Sequence, residues 1–194
     1  GDANDASGRG LHAQLKGGTS WGAGRNGGSA VQFDGRSGHV QLPDGAVSAL
    51  GDFTVAVWVY WDAAVVNARI FDFGSNDVAY MSLLPRDGSG KLRFSASRNQ
   101  FWNEESVTTD VLPVGRWVHV AVTLSGTVGT LYVDGVRVAT ADGIWINPFQ
   151  LGRTTQTWLG RSQYGGDPYF KGRMQDFRIY SGAQDASFIA GLAR

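Results

Sequence analysis

Residues 53–61 read FTVAVWVYW, and neither alternating face of that run is predominantly polar. Phe53, Val55, Val57, Val59 and Trp61 share one side, while Thr54, Ala56, Trp58 and Tyr60 share the other. A strand that is apolar on both faces predicts a central position, covered from above and below. Residues 117–124 (WVHVAVTL) alternate more cleanly, with Val118, Val120, Val122 and Leu124 opposite Trp117, His119, Ala121 and Thr123. Further short apolar runs lie at Ser29–Phe33, His39–Leu42, Ala68–Phe73, Ala79–Leu84, Lys91–Ser97 and Gln156–Gly160, and at Gly172–Tyr180. Thr130–Val133 and Val136–Ala139 flank Asp134-Gly135, the strongest short hairpin signal in the chain.

About a dozen strands with turn residues every 8–12 positions predict an all-β, two-sheet antiparallel sandwich. Helix is expected only near Gln184–Leu192, and Leu11–Lys16 is too brief to assign. No repeat or linker divides the sequence, so residues 1–194 are expected to form one domain.

Composition narrows the function classes. Lys plus Arg number 17 and Asp plus Glu number 17. That balance argues against a nucleic acid or anionic membrane partner, which would need a basic excess. The absence of cysteine excludes disulfides, thiolate metal sites and a cysteine nucleophile. No apolar run approaches the ~20 residues of a membrane span, and residues 1–25 lack the apolar core of a secretory signal. The chain begins at Gly1, as expected of a piece of a longer protein. Twenty-eight glycines are scattered among the apolar runs and imply many tight turns, and seven tryptophans imply an ordered, aromatic molecule.

Five patterns bear on chemistry. Gly18–Gly22 fits G-x-S-x-G, but the strand before and the helix after a nucleophile elbow are both missing. Gly22–Gly27 fits G-x-G-x-x-G, yet a strand follows where a phosphate-binding helix should begin. Glycosidase chemistry needs two facing carboxyls, and the only two glutamates, Glu104 and Glu105, are adjacent and so point in different directions. His12, His39 and His119 show no paired spacing, which leaves His119 as a structural histidine. The segment Asn4–Gly10 groups oxygen donors with permissive backbone, the ingredients of a hard-cation loop and equally of a solvated turn.

Several motifs occur in a familiar order. They are Asn4-Asp5-Ala6-Ser7-Gly8, Phe33-Asp34-Gly35, Phe53-Thr54-Val55 with Trp58-Val59, and Gly115–Ala121, followed by Leu131–Gly135, Leu159–Ser162 and Gly172-Arg173 through Asp176–Tyr180. This series resembles the laminin-G-like, concanavalin A-like jelly-roll family over nearly the whole chain. Tyr80–Pro85 with Leu92–Phe94, and Gln163-Tyr164 through Asp167–Tyr169, are similar to modules of secreted actinobacterial polysaccharide-degrading enzymes, arabinan-acting ones among them. The resemblance implies one structural calcium (Ca2+) shared by Asp5, the Asp34-Gly35 turn and Asp176.

It also implies a secreted, monomeric, non-catalytic carbohydrate-binding module that holds a polysaccharide or oligosaccharide beside a neighbouring catalytic glycoside hydrolase domain in the same chain. Arabinose-containing plant polysaccharides are the expected substrate class. The alternative is a structural spacer or protein-interaction module packed against that domain, and fold alone does not decide between them. Aromatic residues outside the strand pattern are free to stack on sugar rings. Trp102 with Arg98 and Asn99 is the first candidate platform, followed by Trp145 and by Tyr164 in the 164–169 loop. Trp58, Trp117 and Trp158 lie on strands and are expected to pack in the interior.

Overall fold

The computed structural model describes residues 1–194. Fourteen strands and one helix follow in chain order. They are β1 (Gln14–Lys16), β2 (Ser20–Ala23), β3 (Ser29–Asp34), β4 (His39–Gln41), β5 (Phe53–Trp61), β6 (Phe71–Gly74) and β7 (Tyr80–Leu84). The remainder are β8 (Lys91–Ser97), β9 (Glu105–Asp110), β10 (Trp117–Ser125), β11 (Val128–Val133), β12 (Val136–Ala141), β13 (Gln156–Leu159), β14 (Lys171–Ser181) and α1 (Ala186–Leu192). One sheet runs β1-β4-β13-β6-β7-β8-β9 and the other β12-β11-β10-β5-β14-β3-β2. The fold is the expected jelly-roll β-sandwich, with three short strands (β1, β2 and β9) that the apolar pattern does not announce.

The interior forms where the two apolar faces meet. Phe53, Val55, Val57, Val59 and Trp61 of β5 and Val118, Val120, Val122 and Leu124 of β10 point inward from the second sheet. Phe71 and Phe73 of β6, Met81 and Leu83 of β7, and Leu92 and Phe94 of β8 meet them from the first. Phe71 and Phe73 stack with centroids 4.4 Å apart, and Phe53 reaches across to Phe94 at 6.1 Å. Both faces of β5 are buried, as its composition requires.

The β11–β12 hairpin turns at Asp134 (φ +48°) and Gly135 (φ +79°). Positive φ at both central residues matches the right-handed twist of the flanking strands. Gly135 is needed twice, because a Cβ there would also press on Ala190 of α1 at 3.1 Å. Asp185 caps α1 by accepting from the Phe188 N–H at 2.8 Å. The helix then drops Ile189 onto Ala56, Ala121 and Tyr132 on the outer face of the second sheet.

Unlike Trp61, the strand tryptophans Trp58, Trp117 and Trp158 do not enter the central core as expected. They lie on the outer faces, where arginine stems and guanidinium planes seal them. Arg25 sits 3.7 Å over Trp58, Arg161 4.1 Å over Trp158, and Arg173 5.5 Å from Trp117. His119 packs edge-on against Trp58 at 5.3 Å and is buried.

Candidate functional site

The outer face of the first sheet is polar and yet buried. Alternation along β7 and β8 sends Met81, Leu83, Leu92 and Phe94 into the core, so Tyr80, Ser82, Arg93 and Ser95 face outward. Tyr80, Ser82, Ser95 and the neighbouring Asp72 are nonetheless inaccessible to solvent. The segment after β13 folds back over them. A cavity of about 460 Å³ remains between that segment, the Asp87-Gly88 turn and the Phe101–Glu104 loop. Its floor is Tyr80, Ser95 and Arg93, and its rim is Phe101 and Tyr164.

Hydrogen bonds fix every wall. Glu104 accepts from the Tyr80 hydroxyl at 2.5 Å and from Ser95 at 3.1 Å through Oε1, while its Oε2 pairs with Arg93 at 2.5 Å. Burial, with the Glu104 contact second, pushes the Tyr80 hydroxyl far above the ordinary tyrosine range, so it stays a donor. On the opposite wall, Arg69 lies between two carboxylates, 3.3 Å from Asp72 and 3.0 Å from Asp167. Asp167 also accepts from Ser162 at 2.8 Å, which pins the covering loop. Tyr164 donates its hydroxyl to the Asp77 carbonyl at 3.0 Å and sets its ring edge-on to Tyr80 at 5.6 Å.

The expected sugar-contacting residues divide between this cavity and its surroundings. Tyr164 is on the rim. Trp102, 69% exposed, packs on Phe101 at 4.5 Å, and Phe101 lies 6.5 Å from Tyr164, so three rings run from loop tip to rim. Arg98 and Asn99 are exposed on the same loop and do not line the cavity. Trp145 is 68% exposed on another segment, between the buried Ile144 and Ile146. Phe101, Arg93, Glu104, Arg69 and Asp167 join the site only through the fold. The alternation KLRFSAS in β8 was the available signal, since it places Arg93 and Ser95 on one face. Glu104 and Glu105 diverge as adjacent residues should, with Glu105 accepting from the Ile146 N–H at 2.9 Å.

A second cavity, about 510 Å³, opens on the other sheet beside Arg25, Trp58, Gln175, Asp176 and Arg178. Arg25 covers the Trp58 ring there at 3.7 Å, which leaves no free aromatic face. The smaller cavity is therefore the stronger site.

A family model described as the concanavalin A-like lectin/glucanases superfamily matches residues 34–190. The chain belongs to this superfamily. Among solved structures it is similar to domain 4 of AbnA, a GH43 extracellular arabinanase from Geobacillus stearothermophilus, in complex with arabinotriose. That match has 23% identity and a TM-score of 0.86, covering 100% of this chain and 93% of that one. It is also similar to the binding domain of botulinum neurotoxin DC in complex with rat synaptotagmin II (14% identity, TM-score 0.72, 98% and 48% covered). A third likeness is to botulinum neurotoxin type C, whose cell entry depends on interaction with two ganglioside molecules (15% identity, TM-score 0.70, 98% and 47% covered). The chain thus spans about half of the toxin structures. At these identities the likeness is one of fold. No curated protein matches the sequence, and no helix is long and apolar enough to cross a membrane.

The calcium set implied by the family resemblance is not assembled in this superfamily member. Asp34 pairs with Lys171 across β3 and β14, whereas Asp176 lies five residues farther along β14. At ~3.3 Å per residue the two are about 15 Å apart, and Ca2+ holds its oxygens at about 2.3–2.6 Å. Asp5 sits ahead of β1, where Ala13 bonds Ala3, while the Asp34-Gly35 turn abuts Gly18 at the far end of β1. Each carboxylate also has local partners. The Asp5 carboxylate accepts from the Ser7, Arg9 and Leu11 N–H groups. Asp34 accepts from those of Arg36, Ser37 and Gly38. These bonds, Ser7 first at Asp5 and Ser37 first at Asp34, hold both carboxyls down to about 2. Asp176 lies in a bulge at φ +55° and pairs with Arg178 at 2.7 Å. No cluster of three or more metal-ligating His, Cys, Asp or Glu forms anywhere. The two glycine motifs are equally structural: Ser20 begins the edge strand β2, and a 3-10 turn at Arg25–Gly27 leads directly into β3.

Two buried groups titrate in opposite senses. Burial pulls His119 from 6.5 to about 4, so the unfolded chain takes a proton that the folded one refuses, and stability falls as pH drops from 6.5 towards 4. Burial, opposed by Arg69, raises Asp72 from 3.8 to about 7, so the folded chain keeps a proton longer and stability falls as pH rises through that window. When complete, the effect amounts to about 3 kcal/mol for His119 and about 4 kcal/mol for Asp72. Between pH 7 and pH 5 the wild type should therefore change little. His119→Gln should become more stable at pH 5 and Asp72→Asn less stable, as read by urea midpoints. Parallel behaviour of the three proteins contradicts this assignment.

Proposed function

We propose that the chain is a non-catalytic carbohydrate-binding accessory module of a secreted glycoside hydrolase, and that it holds arabinose-containing plant polysaccharides beside the catalytic domain. The observation that carries this reading is the cavity itself. Exposed rings at Phe101 and Trp102 offer flat apolar surface for sugar C–H faces, and beside them Tyr164, Arg93, Glu104 and Asp167 are held rigid for hydroxyl groups. Preorganisation of that kind suits a ligand covered with hydroxyls, because each bond gains little net free energy unless the partner is already in place. The likeness to the arabinanase domain solved with arabinotriose supports the same reading.

Hydrolysis is disfavoured by the same walls. It requires one protonated and one ionised carboxyl facing the bond. Glu104 is committed to Arg93, Tyr80 and Ser95, and Asp167 to Arg69 and Ser162. Asp72, which burial keeps protonated into the neutral range, is wholly inaccessible. A single cavity with few rings gives dissociation constants between micromolar and millimolar, roughly −8 to −4 kcal/mol. In native gels containing arabinan, the protein should be retarded and should release no reducing sugar. Unretarded migration in arabinan and other neutral plant polysaccharides contradicts the proposal, and released sugar contradicts its non-catalytic part.

A further inference from the structure

We infer that the cavity selects uncharged saccharides and rejects acidic ones, those bearing uronate, sialate or sulfate groups. This inference rests on the carbohydrate reading above and deepens it. Four acids, Asp77, Asp87, Glu104 and Asp167, line the cavity against two bases, Arg69 and Arg93. Each guanidinium is already paired with the protein's own carboxylates. Arg69 bonds Asp72, Asp167 and the Asn67 carbonyl at 2.6 Å, and Arg93 bonds Glu104 with Asp87 3.8 Å away. An arginine that recognises a carboxylate needs its planar fork open to the ligand. Here both forks are already engaged by the protein's own carboxylates, with only the buried Nε of Arg93 left without a partner, and acidic side chains outnumber basic ones along the wall.

Hydroxyl groups can donate to those acceptors, whereas an acidic group brings a like charge into a low-dielectric pocket. The whole chain, with 17 basic and 17 acidic residues, carries no such bias. The selectivity is a local property of this wall.

The test is calorimetric titration with arabinotriose and with a uronate trisaccharide, at low and at raised salt. The wild type should bind arabinotriose at least tenfold more tightly than the uronate, with the gap narrowing as salt screens the wall. Asp77→Lys reverses one wall charge at a side chain that makes no ion pair, so the fold is retained. It should raise uronate affinity relative to arabinotriose affinity about tenfold. Equal binding of both sugars by the wild type, or no gain in the variant, overturns the charge inference while the carbohydrate reading stands. Binding of neither sugar overturns both.

Discussion

Arg69→Met should destabilise the folded protein by about 3–5 kcal/mol at pH 7, a loss of roughly 10 °C in Tm. Arg69 is 5% exposed and bridges the inaccessible Asp72 to Asp167. Methionine fills similar space and leaves two carboxylates without their cation, one of them with no route to water. Asp72 already has one oxygen without a partner, so no neighbour stands ready to take over. Losing Arg69 pushes the Asp72 carboxyl up further, so the variant should recover part of its stability at pH 5, where a proton replaces the lost charge. The covering loop is tied down through the same arginine, and sugar binding should weaken together with stability. A variant as stable as wild type at pH 7 contradicts the assigned role of the pair.

Tyr164→Ala should weaken arabinotriose binding more than tenfold, about 1.4 kcal/mol or more, without a large change in stability. The ring is the one aromatic surface shared by the rim, the Tyr80 floor and the Phe101 side. Phe101→Ala should cost a similar factor. Trp102→Ala should cost less, because Trp102 reaches the cavity through Phe101. Arg98→Ala and Trp145→Ala, outside the cavity, should leave binding within about twofold. Calorimetry on the five variants orders them, and a Trp145→Ala loss exceeding that of Tyr164→Ala would reverse the assignment.

The core of this fold is legible in the sequence because its central strands carry their burial on both faces. β5 and β8 fall at their expected limits, and the Asp134-Gly135 hairpin follows from turn chemistry alone. Three of the four edge strands, β1, β2 and β9, do not announce themselves. β9 (ESVTTD) buries only Val107, and β2 lies at a sheet edge with Trp21 largely exposed, so neither needs an apolar run. Trp58 on β5 and Trp158 on β13 mark strands correctly yet pack outward, since an arginine cap can seal a ring that an alternation pattern assigns to the core.

The site is half legible for a similar reason. Trp102 and Tyr164 stand out because no strand pattern explains them. Arg69, Asp72 and Asp167 are 3 and 95 residues apart in sequence and become one network only when the loop after β13 closes over the sheet. Register separates two of the residues implied for calcium. The family resemblance implies that Asp34 and Asp176 meet, while antiparallel pairing of β3 with β14 holds them apart.

The most direct test of the account is a map of backbone amide shifts during arabinotriose titration of the intact chain. The account predicts that the saturable shifts gather on Tyr80, Arg93, Phe101, Glu104 and Tyr164, the residues around the outer-face cavity. Saturable shifts gathered instead around Trp58, Gln175 and Arg178 on the opposite sheet would contradict it.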